Sequence, residues 1–307
     1  MRAIVCTKYG SPDDLQLKEV KKASPKNDEI LIKVHATTVT SGDCRVRSFK
    51  SPPLLWVPMR LVLGFSKPRK AILGVELAGE IEAVGKDVKR FKKGDQVYGL
   101  TGMRFGAHAE YTCMPEAGNV ALKPANVSYE EATTIPFSGT TALHYLKKGK
   151  IQHGQKVLIY GASGAVGSSA VQLAKYFGAD VTGVCSIANL VLVKSLGADR
   201  VIDYRNEDFI SVGDQYDLIF DAVGKITKSY CKKALAPNGK FISVAQGITK
   251  VCKEDLIFLK EIVESGDLKP VIDRRYPLEQ IADAHRYVDM GRKRGNVVIT
   301  VTHGNDN

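Results

Sequence analysis

What this chain lacks excludes several classes of protein. No apolar run approaches the roughly 20 residues that a membrane-spanning helix needs, and Met1–Val5 indicates the start of a strand rather than a signal peptide. The six cysteines are scattered, and none forms a C-x-x-C pair. That pattern is typical of free thiols in a reducing compartment, so we expect a cytoplasmic protein.

The chain has fewer acidic than basic residues. The chain has 44 lysines and arginines against 33 aspartates and glutamates, a formal net charge of +11. The basic residues are spread over much of the sequence, which indicates a solvated surface that attracts small anionic ligands. We do not expect nucleic-acid binding, because no recognisable reading module accompanies the charge.

The length of 307 residues predicts two domains, each with a substantial core. Short alternating or apolar runs separated by glycine turns dominate residues 1–117, with few helical patterns. The strands predicted there are Ile30–Val34, Gly79–Val84, Gln96–Gly99 and Ala109–Thr112. This pattern of many short strands and few helices indicates a compact domain similar to a β-barrel.

A glycine-rich turn follows the buried strand predicted at Val157–Tyr160. Gly161, Gly164 and Gly167 form a G-x-x-G-x-x-G pattern, which allows a tight turn, close approach of backbone to phosphate and close packing of the next helix. That helix ends at Gly178, a C′ glycine. The pattern predicts pyrophosphate binding at the helix N-terminus. The alternative is a tight strand–helix turn without a ligand.

Strands and helices alternate through residues 157–265, which predicts a doubly wound parallel sheet. The further strands are predicted at Asp180–Val184, Val201–Ile202, Tyr216–Asp221 and Lys240–Val244, and the helices at Asn189–Leu196, at Ser229–Leu235 and from about Glu254. The fold class is therefore α/β.

The residues at the end of the second strand narrow the choice of cofactor. An NAD site usually has an acidic residue there to bind the ribose hydroxyls, but Cys185–Asn189 contains none. Ser186 and Asn189 can donate hydrogen bonds to a 2′-phosphate, and Tyr204 and Arg205 follow the third strand. We therefore expect NADPH rather than NADH. Tyr204 has a second interpretation, as a half-buried tyrosine at a strand end.

The chain resembles the medium-chain dehydrogenase/reductases over nearly its whole length. The motifs that carry the resemblance are LGVELAGEIEAVG at 73–85, FKKGDQVYG at 91–99, GAHAEY at 106–111 and EEATTIPFSGTTA at 130–142, together with the glycine turn. The zinc-independent branch of quinone oxidoreductases and alkenal reductases is the most similar. The resemblance implies a GroES-like catalytic domain at 1–117 and 271–307, a Rossmann dinucleotide-binding domain at 118–270, and an active site in the cleft between them.

The positions of the family's zinc ligands argue against a metal. Zinc-dependent relatives have cysteine where this chain has Thr40 and histidine where it has Val75, and neither residue replaces those ligands. The structural-zinc loop is also missing, because no cysteine lies between Gly99 and Tyr111. We expect no zinc, with Asp43 and Glu76 supporting the domain's structure.

Without a Lewis acid, hydride transfer to an already conjugated acceptor is favoured, which points to quinones and α,β-unsaturated carbonyls. The resemblance places Thr40 and Thr141 beside the nicotinamide, and Arg45 where quinone oxidoreductases often have a tyrosine; these three are the catalytic candidates. The predicted cofactor site comprises Gly161, Ser163, Gly164, Ala165, Val166, Gly167, Ser186, Asn189, Tyr204, Ala222, Val223, Val244 and Asn296.

The segment from Arg45 to Lys70 combines seven basic residues with many apolar ones and contains no acid. It could form a lid over an apolar substrate cleft, contact an anionic membrane surface weakly, or pack as a shield with its basic residues solvated. A lid would favour small hydrophobic substrates.

The short segment between the fifth strand and the helix near Glu254 leaves no room for the edge strand through which relatives commonly dimerise. We expect a monomer or a dimer of another kind. Alternatives to the quinone or alkenal reductase remain: a carbonyl reductase similar to alcohol dehydrogenase, a non-catalytic NADPH-binding sensor or partner protein, and a basic RNA- or membrane-associated protein that kept the fold.

Overall fold

The computed structural model describes residues 1–49, 56–211, 213–247 and 249–304. The chain divides into two units, the first formed by Met1–Pro136 with Ile272–Asn307 and the second by Phe137–Val271. The first boundary lies later than the one expected at residue 117. The strand at Asn119–Leu122 pairs with the strand at Gln96–Leu100 and so belongs to the first sheet.

The first unit is built mainly from antiparallel strands. Its strands are β1 Arg2–Cys6, β2 Leu15–Glu19, β3 Glu29–Thr38, β4 Glu76–Val84, β5 Gln96–Leu100, β6 Tyr111–Pro115, β7 Asn119–Leu122, β13 Ile272–Pro277 and β14 Asn296–Thr300. Its helices are α1 Ser41–Ser48, α2 Trp56–Leu63, α3 Tyr129–Ala132 and α8 Ile281–Asp289. This agrees with the expected GroES-like β domain.

Among the described residues of this unit, seven strands form the larger sheet, in the order β13-β14-β3-β4-β5-β7, with β6 paired to β3. Strands β1 and β2 form a separate pair. The long strand β3 places Ile30, Ile32 and Val34 in the core, where they join Leu77 and Ile81 of β4. These side chains recur every second residue because alternate residues of a strand face the same side.

The second unit is a parallel α/β layer structure. Its strands are β8 Lys156–Tyr160, β9 Asp180–Cys185, β10 Arg200–Asp203, β11 Tyr216–Asp221 and β12 Leu235–Ser243. Its helices are α4 Ile135–Gly149, α5 Ala165–Tyr176, α6 Leu190–Ser195 and α7 Lys253–Ser265, α4 beginning two residues before the boundary.

The sheet of the second unit has the order β10-β9-β8-β11-β12, and its pairings are all parallel. The order reverses between β8, the first strand, and β11, so the carboxyl ends of these two strands flank the crevice where such sheets bind nucleotides. In the described part of the chain this sheet ends at β12. The helix expected at Ser229–Leu235 is a short 3-10 turn at Tyr230–Ala234.

Two arginines of the segment from Arg45 to Lys70 pack against other residues rather than facing solvent. Arg47 on α1 is 2% exposed and forms an ion pair with Asp289 of α8. Arg60 on α2 lies against the rings of Phe49 and Trp56. The interpretation as a shield with solvated basic residues therefore fails for these two. Residues 50–55 of the segment lie outside the described residues.

None of the helices in the described ranges is long and apolar enough to cross a membrane.

Candidate functional site

The glycine turn lies directly after β8, as the sequence predicts. Gly161 has a φ of +79°, a conformation that L side chains rarely adopt. A Cβ at this position would lie 2.7 Å from the Val223 side chain, so glycine is required for space as well. The amide of Gly161 donates to the carbonyl of Val184 at 2.9 Å, which ties the turn to the end of β9.

Helix α5 begins at the end of this turn with Gly164 as its N-cap. Glycine offers no side-chain oxygen to cap the helix, and the first amides of a helix have no acceptor within it. The N–H groups of Ala165, Val166 and Gly167 therefore form a positive end that suits the oxygens of a phosphate. Gly164 itself has a φ of −77°, so its lack of a side chain is not a conformational need.

Ser163, Ser186 and Asn189 form one hydrogen-bonded group. The Asn189 side-chain amide donates to Ser163 Oγ at 3.0 Å and to Ser186 Oγ at 3.2 Å. Because both hydroxyls accept from the same amide, their own protons remain free to point at a ligand. Asn189 is 8% exposed, and its Oδ1 is buried without a hydrogen-bond partner among the residues that the structure describes. A buried, unpartnered amide oxygen is the feature a ribose hydroxyl would satisfy.

The remaining predicted cofactor residues of this unit also follow the carboxyl ends of strands. Tyr204 comes after β10, is half exposed, and donates its amide to Cys185 O at 3.1 Å. Ala222 donates its amide to Tyr160 O at 3.0 Å, and Val244 directly follows β12. The structure therefore brings these residues to the same edge of the sheet as the glycine turn.

Asp221 is a positioning residue that sequence reasoning missed. It is fully buried at the end of β11, and its carboxylate accepts hydrogen bonds from the amides of Val223 and Gly224 at 3.1 and 2.9 Å. It also accepts from Ile226 N at 3.2 Å and Ser243 Oγ at 3.0 Å. These bonds hold the loop whose Val223 side chain lies over Gly161. An aspartate at a strand end, followed after three residues by glycine, was the available signal.

In the first unit, Thr40 is engaged as the N-cap of α1. Its hydroxyl donates to Asp43 Oδ2 at 2.6 Å and accepts from Asp43 N at 3.1 Å, forming a capping box. This confirms the structural role expected for Asp43. Glu76 is likewise buried, and the Thr38 hydroxyl donates to its carboxylate.

The residues present do not fit a zinc ion of the type that the family's metal-dependent members hold. The hydroxyl of Thr40 is committed to the helix cap, and Val75 has no donor atom. Among the residues that the structure describes, no group of three or more His, Cys, Asp or Glu side chains is arranged to hold a metal.

The other predicted site residues lie on elements of both units. Arg45 is exposed on α1, and Asn296 is buried at the first position of β14 in the first unit. Thr141 is buried on α4 of the second unit. The expectation that Thr40 and Thr141 lie beside one nicotinamide ring stays a prediction.

A buried histidine pair behind α1 escaped the sequence analysis. The rings of His108 and His285 are 6.0 Å apart and perpendicular, and His285 Nδ1 lies 3.4 Å from Cys44 Sγ. His108 Nε2 donates to Thr38 O at 2.9 Å. Burial lowers the pKa of His108 and lowers that of His285 well below 6.5, so both rings are neutral. Burial also raises the pKa of the Cys44 thiol to about 12, so it is inert.

Lys293 is another titratable residue of the first unit that the sequence analysis did not identify. Its ammonium group donates to Gly295 O at 2.7 Å, just before β14. Burial lowers the pKa of Lys293 to about 8, although Glu76 and Asp273 act in the opposite direction. Lys293 therefore changes its charge in a mildly alkaline range.

Comparison with known proteins agrees with this geometry. Residues 26–125 match the alcohol dehydrogenase GroES-like domain, and residues 165–268 and 249–299 each match a zinc-binding dehydrogenase model. The chain is 37% identical to a 2-methylene-furan-3-one reductase of Solanum lycopersicum, over 97% of this chain and 79% of that protein. It is 33% identical, with the same two coverages, to a chloroplastic NADPH-dependent alkenal/one oxidoreductase of Arabidopsis thaliana.

Among solved structures, the quinone oxidoreductase of Coxiella burnetii is similar, with a TM-score of 0.84 and 27% identity over 98% of this chain and 99% of that one. The fold, the turn at the nucleotide edge and the extent of these matches confirm the resemblance. The chain belongs to the medium-chain dehydrogenase/reductase superfamily and is an NAD(P)H-dependent oxidoreductase similar to the quinone oxidoreductases.

Proposed function

We propose that the protein transfers hydride from NADPH to a quinone or an α,β-unsaturated carbonyl without using zinc. The observation that carries the proposal is the role of Thr40 as the N-cap of α1. At this position zinc-dependent relatives have a ligand, and here the side chain closes the capping box of α1 with Asp43. A carbonyl polarised by zinc is therefore a poor acceptor for this chain, and a conjugated acceptor, which spreads its own developing charge, suits it.

The bound cofactor supplies the hydride, and the chain's residues supply binding and position. The amides of residues 165–167 bind the pyrophosphate, while Asp221 holds the loop at 222–226 against the glycine turn. Arg45, exposed on α1, offers a guanidinium group to the acceptor oxygen as negative charge develops there. Solvent supplies the proton that completes the reduction.

The preference for NADPH rests on the group formed by Ser163, Ser186 and Asn189. The hydroxyl protons of Ser163, in the glycine turn, and of Ser186, directly after β9, are not used in these hydrogen bonds, and no carboxylate lies between Cys185 and Asn189 to repel a 2′-phosphate. The exposed Arg205, directly after Tyr204, adds positive charge beyond β10. The alkenal/one oxidoreductase of Arabidopsis thaliana named above is NADPH-dependent by its own description.

The proposal extends to assembly and location. The sheet of the second unit ends at β12 in the described residues, so we expect a monomer or a dimer formed through a different surface. Analytical ultracentrifugation tests this. The scattered free cysteines fit the expected cytoplasmic location.

Oxidation of NADPH with a matched panel of acceptors tests the function. The panel contains a benzoquinone, an α,β-unsaturated ketone and its saturated analogue, each assayed with and without a chelator. We expect turnover of the first two that is insensitive to the chelator, and little turnover of the saturated ketone. Turnover of the saturated ketone that the chelator abolishes would contradict the proposal. Tight NADPH binding without turnover of any acceptor would favour the non-catalytic alternative.

A further inference from the structure

Helix α2 has the opposite polarity to an ordinary amphipathic surface helix, with its charged side chain facing inward and apolar side chains facing outward. Its one charged residue, Arg60, faces inward: the guanidinium carbon lies 3.7 Å from the ring centre of Phe49, 4.8 Å from that of Tyr9 and 4.9 Å from that of Trp56. Arg60 also donates to the carbonyl of Phe65. Three aromatic faces and a carbonyl therefore hold the charge that a surface helix normally shows to water.

The outward side of the same helix is apolar. Val57, Leu61 and Val62 are 57%, 54% and 61% exposed. Phe65, just after the helix, is 60% exposed, and Met103 of the neighbouring turn is 64% exposed. Scattered exposed apolar residues are normal, but five within two adjoining segments form a patch that needs a partner. We call these five residues the α2 patch.

The α2 patch is a firmly held surface rather than a loose flap. Leu63 packs in a buried cluster with Phe49 and Phe105, the latter two residues from Met103. The Tyr9 hydroxyl donates to Gly64 O at 3.2 Å, and Arg69 N donates to Leu63 O at 2.7 Å. The inner side of α2 is thus fixed to its own unit, and its outer side is preformed.

Positive charge lies next to the patch in sequence. Lys67, Arg69 and Lys70 are exposed in the turn that follows α2. This turn folds back closely, since a Cβ on Gly64 would lie 2.3 Å from Lys67 O. No aspartate or glutamate occurs between Asp43 and Glu76 to neutralise the lysines and arginines.

We propose that the α2 patch docks the protein peripherally on an anionic phospholipid surface. Apolar side chains at the level of the acyl boundary, with lysine and arginine at the phosphates, are the two features that such docking requires. A second copy of the chain is a poorer partner, because it would bring an equally basic surface against this one. Docking places the enzyme where hydrophobic acceptors accumulate, a property beyond the proposed reaction itself.

The single tryptophan of the chain makes the proposal directly testable. Because Trp56 is the only tryptophan, begins α2 and is 45% exposed, tryptophan fluorescence reports the surroundings of this helix alone. We expect a blue shift on titration with vesicles of phosphatidylcholine and phosphatidylglycerol, weakened by added salt and much smaller with phosphatidylcholine alone. No shift and no co-sedimentation with the anionic vesicles would overturn the proposal.

Two variants separate the apolar from the charged contribution. Leu61→Ser with Val62→Ser should weaken vesicle binding roughly tenfold or more, because both side chains would otherwise leave water. Its control is Val191→Ser on α6, which removes a side chain that is 85% exposed elsewhere. The triple change Lys67→Gln, Arg69→Gln and Lys70→Gln should weaken binding roughly a hundredfold, since each positive charge near an anionic membrane surface strengthens binding roughly fivefold. Its control is Lys89→Gln, Lys92→Gln and Lys93→Gln.

The readouts distinguish this proposal from the proposed function. All variants should keep the melting temperature and the rate of NADPH oxidation with a water-soluble acceptor, while vesicle binding changes only in the two patch variants. Equal loss in the charge-control variant would overturn the proposal, because it would show non-specific attraction to the whole basic surface. A concentration-dependent blue shift without vesicles would overturn it in favour of self-association.

Discussion

A Cβ atom on Gly167 would lie 2.1 Å from the carbonyl oxygen of Gly161. The first turn of α5 therefore rests directly on the end of β8, and only a residue without a side chain fits there. Gly164, between them in sequence, is different, because its nearest neighbour would be the same oxygen at 3.5 Å. One glycine is required by packing, and the other keeps open the space in front of the helix N-terminus.

This difference predicts opposite results for two alanine variants. Gly167→Ala should lower the free energy of unfolding by about 2 kcal/mol or more, because backbone must move to relieve the overlap. Gly164→Ala should leave stability within about 1 kcal/mol but weaken NADPH binding at least about tenfold, because its methyl group occupies the approach to the phosphate. Urea denaturation and calorimetry measure the two effects. Equal NADPH affinity in Gly164→Ala and the unmodified protein would contradict the assignment.

Arg47 and Arg45 lie on the same short helix but should respond differently to substitution. Arg47→Met should lower the free energy of unfolding by about 3 kcal/mol, because it leaves the Asp289 carboxylate and the Gly10 carbonyl without their buried partner. Arg45→Met is the matched control, and its effect on stability should stay within about 0.5 kcal/mol because Arg45 is exposed. Urea denaturation measures both. A stability loss of the same size in the two variants would refute this distinction.

The buried histidine pair predicts a loss of stability in mild acid. His108 and His285 have lowered pKa values in the folded protein, so the unfolded chain binds more protons below pH 6.5. The free energy of unfolding should then fall with falling pH by up to about 1.4 kcal/mol per pH unit for each histidine. It should be unaffected by this pair above that range, where both forms are neutral.

Urea denaturation at several pH values checks this prediction. His285→Gln should reduce the slope below pH 6.5, whereas His153→Gln, at an exposed position, should leave it unchanged. The groups facing His285 are His108, Cys44 and Arg47, of which the arginine also disfavours a second positive charge. Identical slopes for His285→Gln and the unmodified protein would show that the ring is not the titrating group.

A carboxylate at the end of β9 should reverse the cofactor preference. Ser186→Asp places negative charge beside Ser163 and Asn189, where we expect the 2′-phosphate of NADPH. The Kd for NADPH should rise at least about tenfold, while that for NADH should change little or fall. Ser195→Asp at the end of α6 is the control for added charge. Retention of the original NADPH preference by Ser186→Asp would place the 2′-phosphate elsewhere.

Much of the second unit could be predicted from the sequence, because its signals are local. The apolar run at 157–160, the three glycines and the C′ glycine at 178 each act on their own neighbours, and the structure confirms the elements they predict. The prediction of a strand at Ala109–Thr112 was less accurate. The observed strand β6 spans Tyr111–Pro115, and Ala109 forms only an isolated bridge to Ala3. A pairing partner far away in the chain decides such a boundary.

The histidine pair and part of the packing around Arg60, which sequence reasoning missed, depend on residues distant in the chain. Cys44 and His285 are 241 positions apart, and Arg60 meets Tyr9 across 51 residues. No periodicity or local spacing marks these pairs. Arg47 looks like a solvated charge in the sequence because its partner Asp289 lies 242 positions away. The first unit extends past the boundary expected at residue 117, because β7 pairs with β5.

Calorimetric titration of the protein and of Gly164→Ala with NADPH tests the central claim most directly. The account predicts saturable binding of NADPH at one site per chain, tighter than that of NADH, and at least about tenfold weaker binding in the stably folded variant. The absence of binding heat with either nucleotide, or equal affinity in the two proteins, would contradict it.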